Sequence, residues 1–391
     1  MAGKKITAQF FRRPQYYKDF SCIGGTCPMS CCLVWKVNWS EDEVEKLKNA
    51  ECSEELKTLI DNSFQKFDTG YIVKIDENGR CPFLTEDNFC RIQRELGEEL
   101  LSNTCKTYPR NTMLCGNAIM TFCNLSCYRI MDILCSDKDC MVLENYIPVN
   151  KQVKRVNYDQ KLDIINHPEL KYRHELFEFF YEIISDDSHS LETSMTLGAL
   201  AAQSINKLIA GGGCDRIPES LQVLKKQLDN PEQIRKLEEL KPNYGIKLGF
   251  AVRLSDIIMQ SDMLDKLYEN GAVSIEKYCE GERLFREAFA DRPFALRNIA
   301  LNLLLELKMP FRDVNISLYE NYCYFAAAVA AIKLVAPAVY LKVDEPELGF
   351  KSVSSYVSRS FAHNDFKVRK VMELYKELNC MSPAYIAVIL K

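Results

Sequence analysis

Seventeen of the 391 residues are cysteine, and thirteen of these stand at or before Cys140. Thiolates ligate Zn²⁺ and iron–sulfur clusters, so their spacing bears directly on chemistry. The run Cys22-Ile-Gly-Gly-Thr-Cys27-Pro-Met-Ser-Cys31-Cys32 places four thiols within eleven residues. Gly24 and Gly25 permit positive φ, which lets such a loop fold back and bring amides near sulfur. Cys31 and Cys32 are adjacent, so their side chains diverge and do not serve one metal equally. Cys81-Pro-Phe-Leu84, Cys90, Cys105-Lys-Thr-Tyr-Pro-Arg110 and Cys127 add a second set. The eight candidates Cys22, Cys27, Cys31, Cys32, Cys81, Cys90, Cys105 and Cys127 suffice for one or two four-thiolate centres. Their spacing is neither the paired Cys-x2-Cys of zinc ribbons nor a standard ferredoxin run. Cys52, Cys115, Cys123, Cys135 and Cys140 fall outside these motifs and are expected to be small, structural hydrophobes.

The surrounding sequence must position these thiols and keep them reduced. Its N-terminus has charge but neither the apolar stretch nor the small-residue cleavage site of a secretory signal, which predicts a cytoplasmic protein. In such a compartment dense thiols bind metal or a cluster more often than they form disulfides. With 50 basic and 54 acidic residues the net charge is -4. No global cationic field recommends nucleic acid or an anionic membrane as partner. The composition is 47% hydrophobic with only 16 Gly and 14 Pro, which favours long helices over turn-rich sheet.

The expected fold is mainly α: a multi-helical body carrying a small, irregular, cysteine-rich α+β lobe. The change in cysteine density divides the chain into a metal- or cluster-binding lobe at 1–145 and an all-helical domain at 146–391. In the lobe, Ser40-Glu-Asp-Glu43 reads as a capping box opening a helix to about Lys48, and Ser53 as a second cap. Residues 71–75 and 118–122 read as strands, and 91–101 as a helix interrupted at Gly97. Beyond residue 160, helices are expected near 172–185, 190–210, 217–229, 231–240, 245–268, 273–290, 293–308, 315–341, 350–362, 365–379 and 383–390. Pro231 and Pro383 stand at first helical positions. Gly211-Gly-Gly213 reads as a helix stop, since no strand precedes it. The apolar stretch 324–341 contains Lys333 and Pro337, leaving runs too short to span a bilayer; a central buried helix is expected.

These residues resemble the flagellin lysine-N-methylases, whose N-terminal half is related to cysteine-rich domains described as zinc- or iron-chelating. The resemblance is carried by Tyr16-Tyr17 and Phe20 leading into Cys22-Ile-Gly24, by Cys27, Cys31-Cys32 and Trp35, and by Cys81-Pro-Phe-Leu84. Cys90 with Ile92-Gln93, Glu95-Leu-Gly97, Cys105 and Tyr108-Pro-Arg110 complete the sharp part. It continues more loosely through Asn298, Met309-Pro310-Phe311, Ser358-Arg359 and His363-Asn364. The family usually follows its late Ser-Cys with Pro-Glu, whereas Ser126-Cys127 is followed here by Tyr128-Arg129.

The resemblance implies methylation of lysine ε-amines on flagellin or a similar surface protein, with S-adenosylmethionine as donor and an iron–sulfur cluster, of the 4Fe-4S type. A lysine amine attacks only when neutral, and its ordinary pKa of ~10.4 leaves little neutral form near pH 7. The site must desolvate it or supply a base, for which His363, Asp365 and Tyr108 are candidates. Arg110 is a candidate to bind the donor's carboxylate in bidentate fashion, or else a partner for a structural acid. No glycine-rich strand-to-helix motif of the common methyltransferase fold is present. The Cys-x3-Cys-x2-Cys signature of radical enzymes is departed from as well, because Cys27-x3-Cys31 runs straight into Cys32 and residue 34 is Val. The competing expectation is non-enzymatic: a zinc- or iron-binding scaffold or metal chaperone whose helical body is an interaction surface.

Overall fold

Helices start where a side chain is available to hold their orphan amides. Ser40 and Glu43 exchange reciprocal bonds of 2.8 and 3.2 Å, and Ser317 and Glu320 do the same at 2.9 and 3.2 Å. The computed structural model describes residues 10–33, 36–116, 118–147, 165–258, 264–265, 267–269, 272–362 and 365–391. They form two compact units, a small one of Phe20–Asn111 with Cys127–Ile130 and a large one of the remaining residues. The chain is mainly α, with the expected small α+β region in its first part.

In the large unit, helix Leu318–Lys342 runs through the centre. Helices Leu191–Ala210, Tyr244–Ile258, Ile275–Ala288, Ala295–Glu306, Pro346–Ala362, Asp365–Glu377 and Pro383–Leu390 all pack on it. Alanines at 326–328, 330, 331, 336 and 338 let these neighbours approach closely and are themselves buried. At Gly281 a Cβ would lie 2.2 Å from the Pro337 carbonyl oxygen, so this crossing requires glycine. Among the described residues Leu318–Lys342 is the one helix long and apolar enough to cross a membrane, and 89% of its apolar window is buried in protein. It is the expected central helix.

The same unit holds, apart from Arg110 and Asn111, a four-stranded sheet in the order Arg110–Cys115, Ala118–Cys123, Phe10–Pro14, Leu143–Tyr146. Phe10–Pro14 lies parallel to Ala118–Cys123, with Phe10 opposite Ala118, and antiparallel to Leu143–Tyr146, with Phe11 opposite Tyr146. Buried polar groups fix this sheet to helix Ala295–Glu306. The Tyr16 hydroxyl donates to Asn302 Oδ1 at 2.6 Å and accepts from the Cys123 amide at 2.9 Å, while Asn302 Nδ2 donates to the Cys123 carbonyl at 3.0 Å. One turn further on, Glu306 Oε2 accepts from the Leu125 amide at 3.2 Å and from Ser358 Oγ at 2.8 Å.

The small unit contains a three-stranded antiparallel sheet, Asn38–Trp39, Gly70–Val73 and Phe64–Phe67, with Asn38 opposite Ile72 and Phe64 opposite Val73. Helices Glu41–Lys48, Glu54–Asn62, Arg91–Leu96 and Asn103–Thr107 accompany it. Val37, Trp39, Val44, Leu47, Leu56, Ile60, Val73, Phe83, Ile92 and Leu101 make its core, and Cys52, Cys81, Cys90 and Cys105 pack against that core.

The interruption expected at Gly97 within 91–101 is present: helix Arg91–Leu96 ends there, where φ is 81°, and the rest is a separate turn, Glu98–Leu100. Two expectations change. The helix foreseen over 245–268 is described as Tyr244–Ile258, with 259–263 and 266 outside the described residues, and Tyr268–Glu269 pairs antiparallel with Ala272–Val273 instead of continuing it. The compact units also do not divide at 145/146, because Phe10–Pro14, Ala118–Cys123 and Leu143–Tyr146 are strands of one sheet in the large unit.

Candidate thiol-lined cofactor site

Three pieces of local structure bring the small unit's cysteines together. The isolated bridge Leu33–Arg80 aligns the two chain segments so that the Cys81 amide donates to the Cys32 carbonyl at 2.9 Å. A second bridge, Leu84–Cys90, is closed by Thr85, whose amide donates to the Phe89 carbonyl at 2.9 Å and whose hydroxyl accepts from the Phe89 amide at 3.1 Å. This returns the chain so that Cys90 faces the Cys81 turn and opens helix Arg91–Leu96. Cys105 lies in helix Asn103–Thr107, its amide donating to the capping Ser102 Oγ at 3.0 Å. The first cluster closes on the Thr85–Phe89 loop. Gly24 has φ 58°, and a Cβ on Gly25 would stand 2.5 Å from the Asp87 carbonyl oxygen, so glycine is required at both positions. The Gly24 amide donates to Cys22 Sγ at 3.4 Å, and Cys27 Sγ donates to the Met29 carbonyl at 3.3 Å.

The product is a cavity of about 190 Å³ within the small unit, lined by all eight candidate thiols. Its walls are otherwise largely apolar, with Phe20, Trp39, Phe83 and Phe89 prominent. Burial pushes the thiols of Cys27 and Cys90 up, that of Cys81 to about 12, and those of Cys105 and Cys127 to about 11. Cys32 runs the other way, down to about 7. It accepts a hydrogen bond from the Cys31 thiol, is bonded by the Ser30 hydroxyl and lies in the field of Arg80, which together outweigh its burial. Cys31, as the donor of that bond, is correspondingly raised.

The like-charge repulsions among these thiols form two groups joined by the Cys27–Cys32 pair and by Cys31. Within Cys32, Cys81, Cys90 and Cys105, every pair interacts. Within Cys22, Cys27 and Cys127, every pair does so as well, and Cys31 couples to Cys22, Cys32 and Cys105. Mutual repulsion between buried thiolates is what a bound cation or cluster reverses, and the donor set is chemically suited to one. Among the described residues no three His, Cys, Asp or Glu side chains converge closely enough to hold a single metal ion. The eight thiols are arranged around a space instead of a point.

The remaining sequence candidates divide. Tyr108 and Arg110 line the same cavity. Arg110 donates through Nη2 to the Phe20 carbonyl at 3.3 Å and holds its guanidinium 4.9 Å from the Phe20 ring centre. His363 lies outside the described residues, and Asp365 opens helix Asp365–Glu377 in the large unit. Cys115, Cys123, Cys135 and Cys140 are buried in the large unit, and Cys52 is half-buried in the small one; none lines the cavity. The sequence reading missed Arg80, hidden behind the Asn78-Gly79 turn, and Arg129, noted only for where it follows Cys127; both act on the thiol site, Arg80 by its field and Arg129 as lining.

The fold and cavity define a mainly helical protein with a distinct cysteine-lined unit. The chain belongs to the FliB lysine N-methylase family: residues 177–389, more than half of it, match the FliB lysine N-methylase C-terminal domain. A flagellar biosynthetic protein, FliU, of Salmonella muenchen is 30% identical over 145 residues, covering 36% of this chain and 83% of that protein. Lysine-N-methylases of Salmonella choleraesuis and Salmonella typhimurium are each 28% identical over 153 residues, or 36% of this chain. The chain spans 35% of the length of these two methylases. No solved structure matches it.

Proposed function

We propose that this protein is a protein-lysine N-methyltransferase that uses S-adenosylmethionine, carries a 4Fe-4S cluster in the thiol-lined cavity, and acts in the cytoplasm on flagellin or a similar surface protein. The observation that carries the reading is the gathering of all eight motif cysteines around one cavity, in a chain of the lysine N-methylase family. Cys32, Cys81, Cys90 and Cys105 would hold the cluster. Each of the four repels the other three, and Cys81, Cys90 and Cys105 pack on the small unit's core. A cluster held by these four thiolates would supply one-electron chemistry.

What the chain's own residues contribute follows from the cavity. Net transfer forms a bond between the lysine nitrogen and the methyl carbon, breaks that carbon's bond to the donor sulfur, releases one amine proton and leaves S-adenosylhomocysteine. The apolar walls at Phe20, Trp39 and Phe83 disfavour an ammonium and so promote the neutral amine that transfer needs. Tyr108 lines the same space with a hydroxyl able to bond that amine, and Arg110 is placed to orient a carboxylate.

The test is made on protein purified without oxygen. Iron, acid-labile sulfide and zinc are counted per chain, and transfer from methyl-labelled S-adenosylmethionine to flagellin is followed. Iron and sulfide near four each, with label on lysine, is the expected result. Stoichiometric zinc without sulfide, and no labelled lysine, would replace the enzyme by a metal-binding scaffold.

A further inference from the structure

A second cavity, of about 1070 Å³, opens within the large unit among helices Arg173–Ser185, Leu191–Ala210 and Ala295–Glu306 and the segment 138–143. Six carboxylates line it against three cations, Arg12, Lys138 and Arg297. Each cation is already engaged: Arg12 by Glu178, Lys138 by Asp187 at 3.5 Å, and Arg297 by the Ile184 and His189 carbonyls at 2.6 Å each. Lys225, Arg292 and Lys333 offset three of the carboxylates from outside the lining, whereas Asp139 has no cation partner among the described residues. An independent observation points the same way. Asn298 is only 4% exposed, and its Nδ2 is held by the Leu134 carbonyl at 3.2 Å, the Asp137 carbonyl at 2.9 Å and Cys140 Sγ at 3.4 Å. Those three bonds fix the amide plane, and Oδ1, on the cavity-lining side chain, accepts nothing among the described residues. A buried acceptor left open is costly until a ligand's N–H meets it.

We infer that this cleft docks a lysine-bearing segment of a partner polypeptide, whose N–H donors meet Asn298 Oδ1 and the Asp139 carboxylate. What the cleft offers unengaged is acceptors, which suits a cationic ligand and not an anionic one. Val142, 49% exposed, stands with Leu143, Phe294 and Leu296 beside those acceptors. Lysine lays its aliphatic stem on such surface while its ammonium reaches a carboxylate. At this volume, beyond the ~1,000 Å³ upper end of small-molecule pockets, the cleft suits a polypeptide. On the methyltransferase reading the segment belongs to the substrate protein; the inference rests on that reading for the partner's role and on the cleft alone for the binding.

The experiment uses the full chain, purified without oxygen, and reads fluorescence anisotropy of two rhodamine-labelled probes. One is the peptide Ala-Lys-Val-Ala-Lys-Val-Ala-Lys; the other is its copy with every lysine acetylated, which keeps the stem and loses the charge. The lysine peptide should bind about tenfold more tightly, with the difference shrinking as salt is raised. Asn298→Ala also removes three structural bonds, so the exposed Asp139 and Asp187 carry the test. Asp139→Lys with Asp187→Lys should weaken the lysine peptide about tenfold. Asp256→Lys with Glu280→Lys, at exposed carboxylates outside the cleft, should leave it unchanged. Equal binding of the two peptides, or equal loss in the two charge-reversed proteins, would overturn the inference. Binding of neither would overturn it too; if Lys151→Gln, Lys154→Gln and Arg155→Gln together then permit binding, the occupant is the chain's own segment 148–164. Methyl transfer followed on the same samples separates the two readings. Peptide bound at the cleft with no transfer to lysine overturns the methyltransferase reading and leaves the docking cleft standing. Transfer whose KM for the protein substrate is unchanged by Asp139→Lys with Asp187→Lys overturns the assignment of the segment to the substrate.

Discussion

Glu306 offers the cleanest quantitative test of the large unit. Its carboxyl is fully buried; Oε2 receives the Leu125 amide and the Ser358 hydroxyl, while Oε1 has no hydrogen-bond partner among the described residues. Burial lifts its pKa from the ordinary 4.5 to about 7, against the lowering pull of those two bonds and of Arg312. The folded state therefore holds its proton where the unfolded chain has released it. Stability on this account is full below pH 4.5, falls as pH rises between 4.5 and 7, and levels off above. At 1.36 kcal/mol per unit the whole loss is ~3 kcal/mol, and the part between pH 5.5 and 8 is ~2 kcal/mol. Glu306→Gln keeps the shape and an acceptor oxygen but does not titrate. Urea unfolding of both proteins at a series of pH values cancels every other group. The stability of the Gln variant relative to Glu should climb by ~2 kcal/mol from pH 5.5 to 8. Parallel profiles across that window would mean that Glu306 is ionised in the folded state throughout, and the account of its burial would be wrong.

Other consequences are as concrete. Tyr16→Phe leaves the buried Cys123 amide without the 2.9 Å bond it now makes, and should cost ~1–3 kcal/mol in the urea midpoint with an unchanged slope. Gly281→Ala drives a Cβ against the Pro337 carbonyl and should lower stability by ~1–3 kcal/mol. Gly249→Ala, in helix Tyr244–Ile258 with nothing within 4 Å of its Cβ, should instead raise stability by ~0.5–1 kcal/mol, and thermal melts followed by circular dichroism separate the two. Cys81→Ser and Cys105→Ser should each strip iron and sulfide from anaerobically purified protein, whereas Cys52→Ser, outside the cavity, should retain both; iron surviving in either of the first pair removes that thiol from the ligand set.

Local signals in this sequence were read well and distant ones were not. The capping box at Ser40 and the prolines at 231 and 383 open helices where expected, because each depends on residues within one turn. Lys333 and Pro337 marked the central helix as a core element, and it is one. Strand Phe10–Pro14 carried no usable pattern of its own, since its partners begin at Ala118 and Leu143. The apolar spacing before Tyr268 continues past Ile258 and predicts one helix, although Asn270-Gly271 in the sequence is a strong turn signal and Tyr268–Glu269 pairs as a strand. For the site, cysteine spacing named the eight thiols that line the cavity. It could not sort them, because Cys32 and Cys81 are brought together by a bridge across 48 positions of chain.

The small unit interrupts the large one: its main segment, Phe20–Asn111, falls between residues that both belong to the large unit. On the ribosome this sets an order of events. Phe10–Pro14 emerges first but must wait for Ala118–Cys123 before it has a parallel neighbour. In that interval the whole of Phe20–Asn111 has been made, with seven of the eight cavity thiols and the core on which Cys81, Cys90 and Cys105 pack. Cys127, the last cavity thiol, arrives only after strand Ala118–Cys123, while most of the large unit, Met131–Lys391, is still to be made.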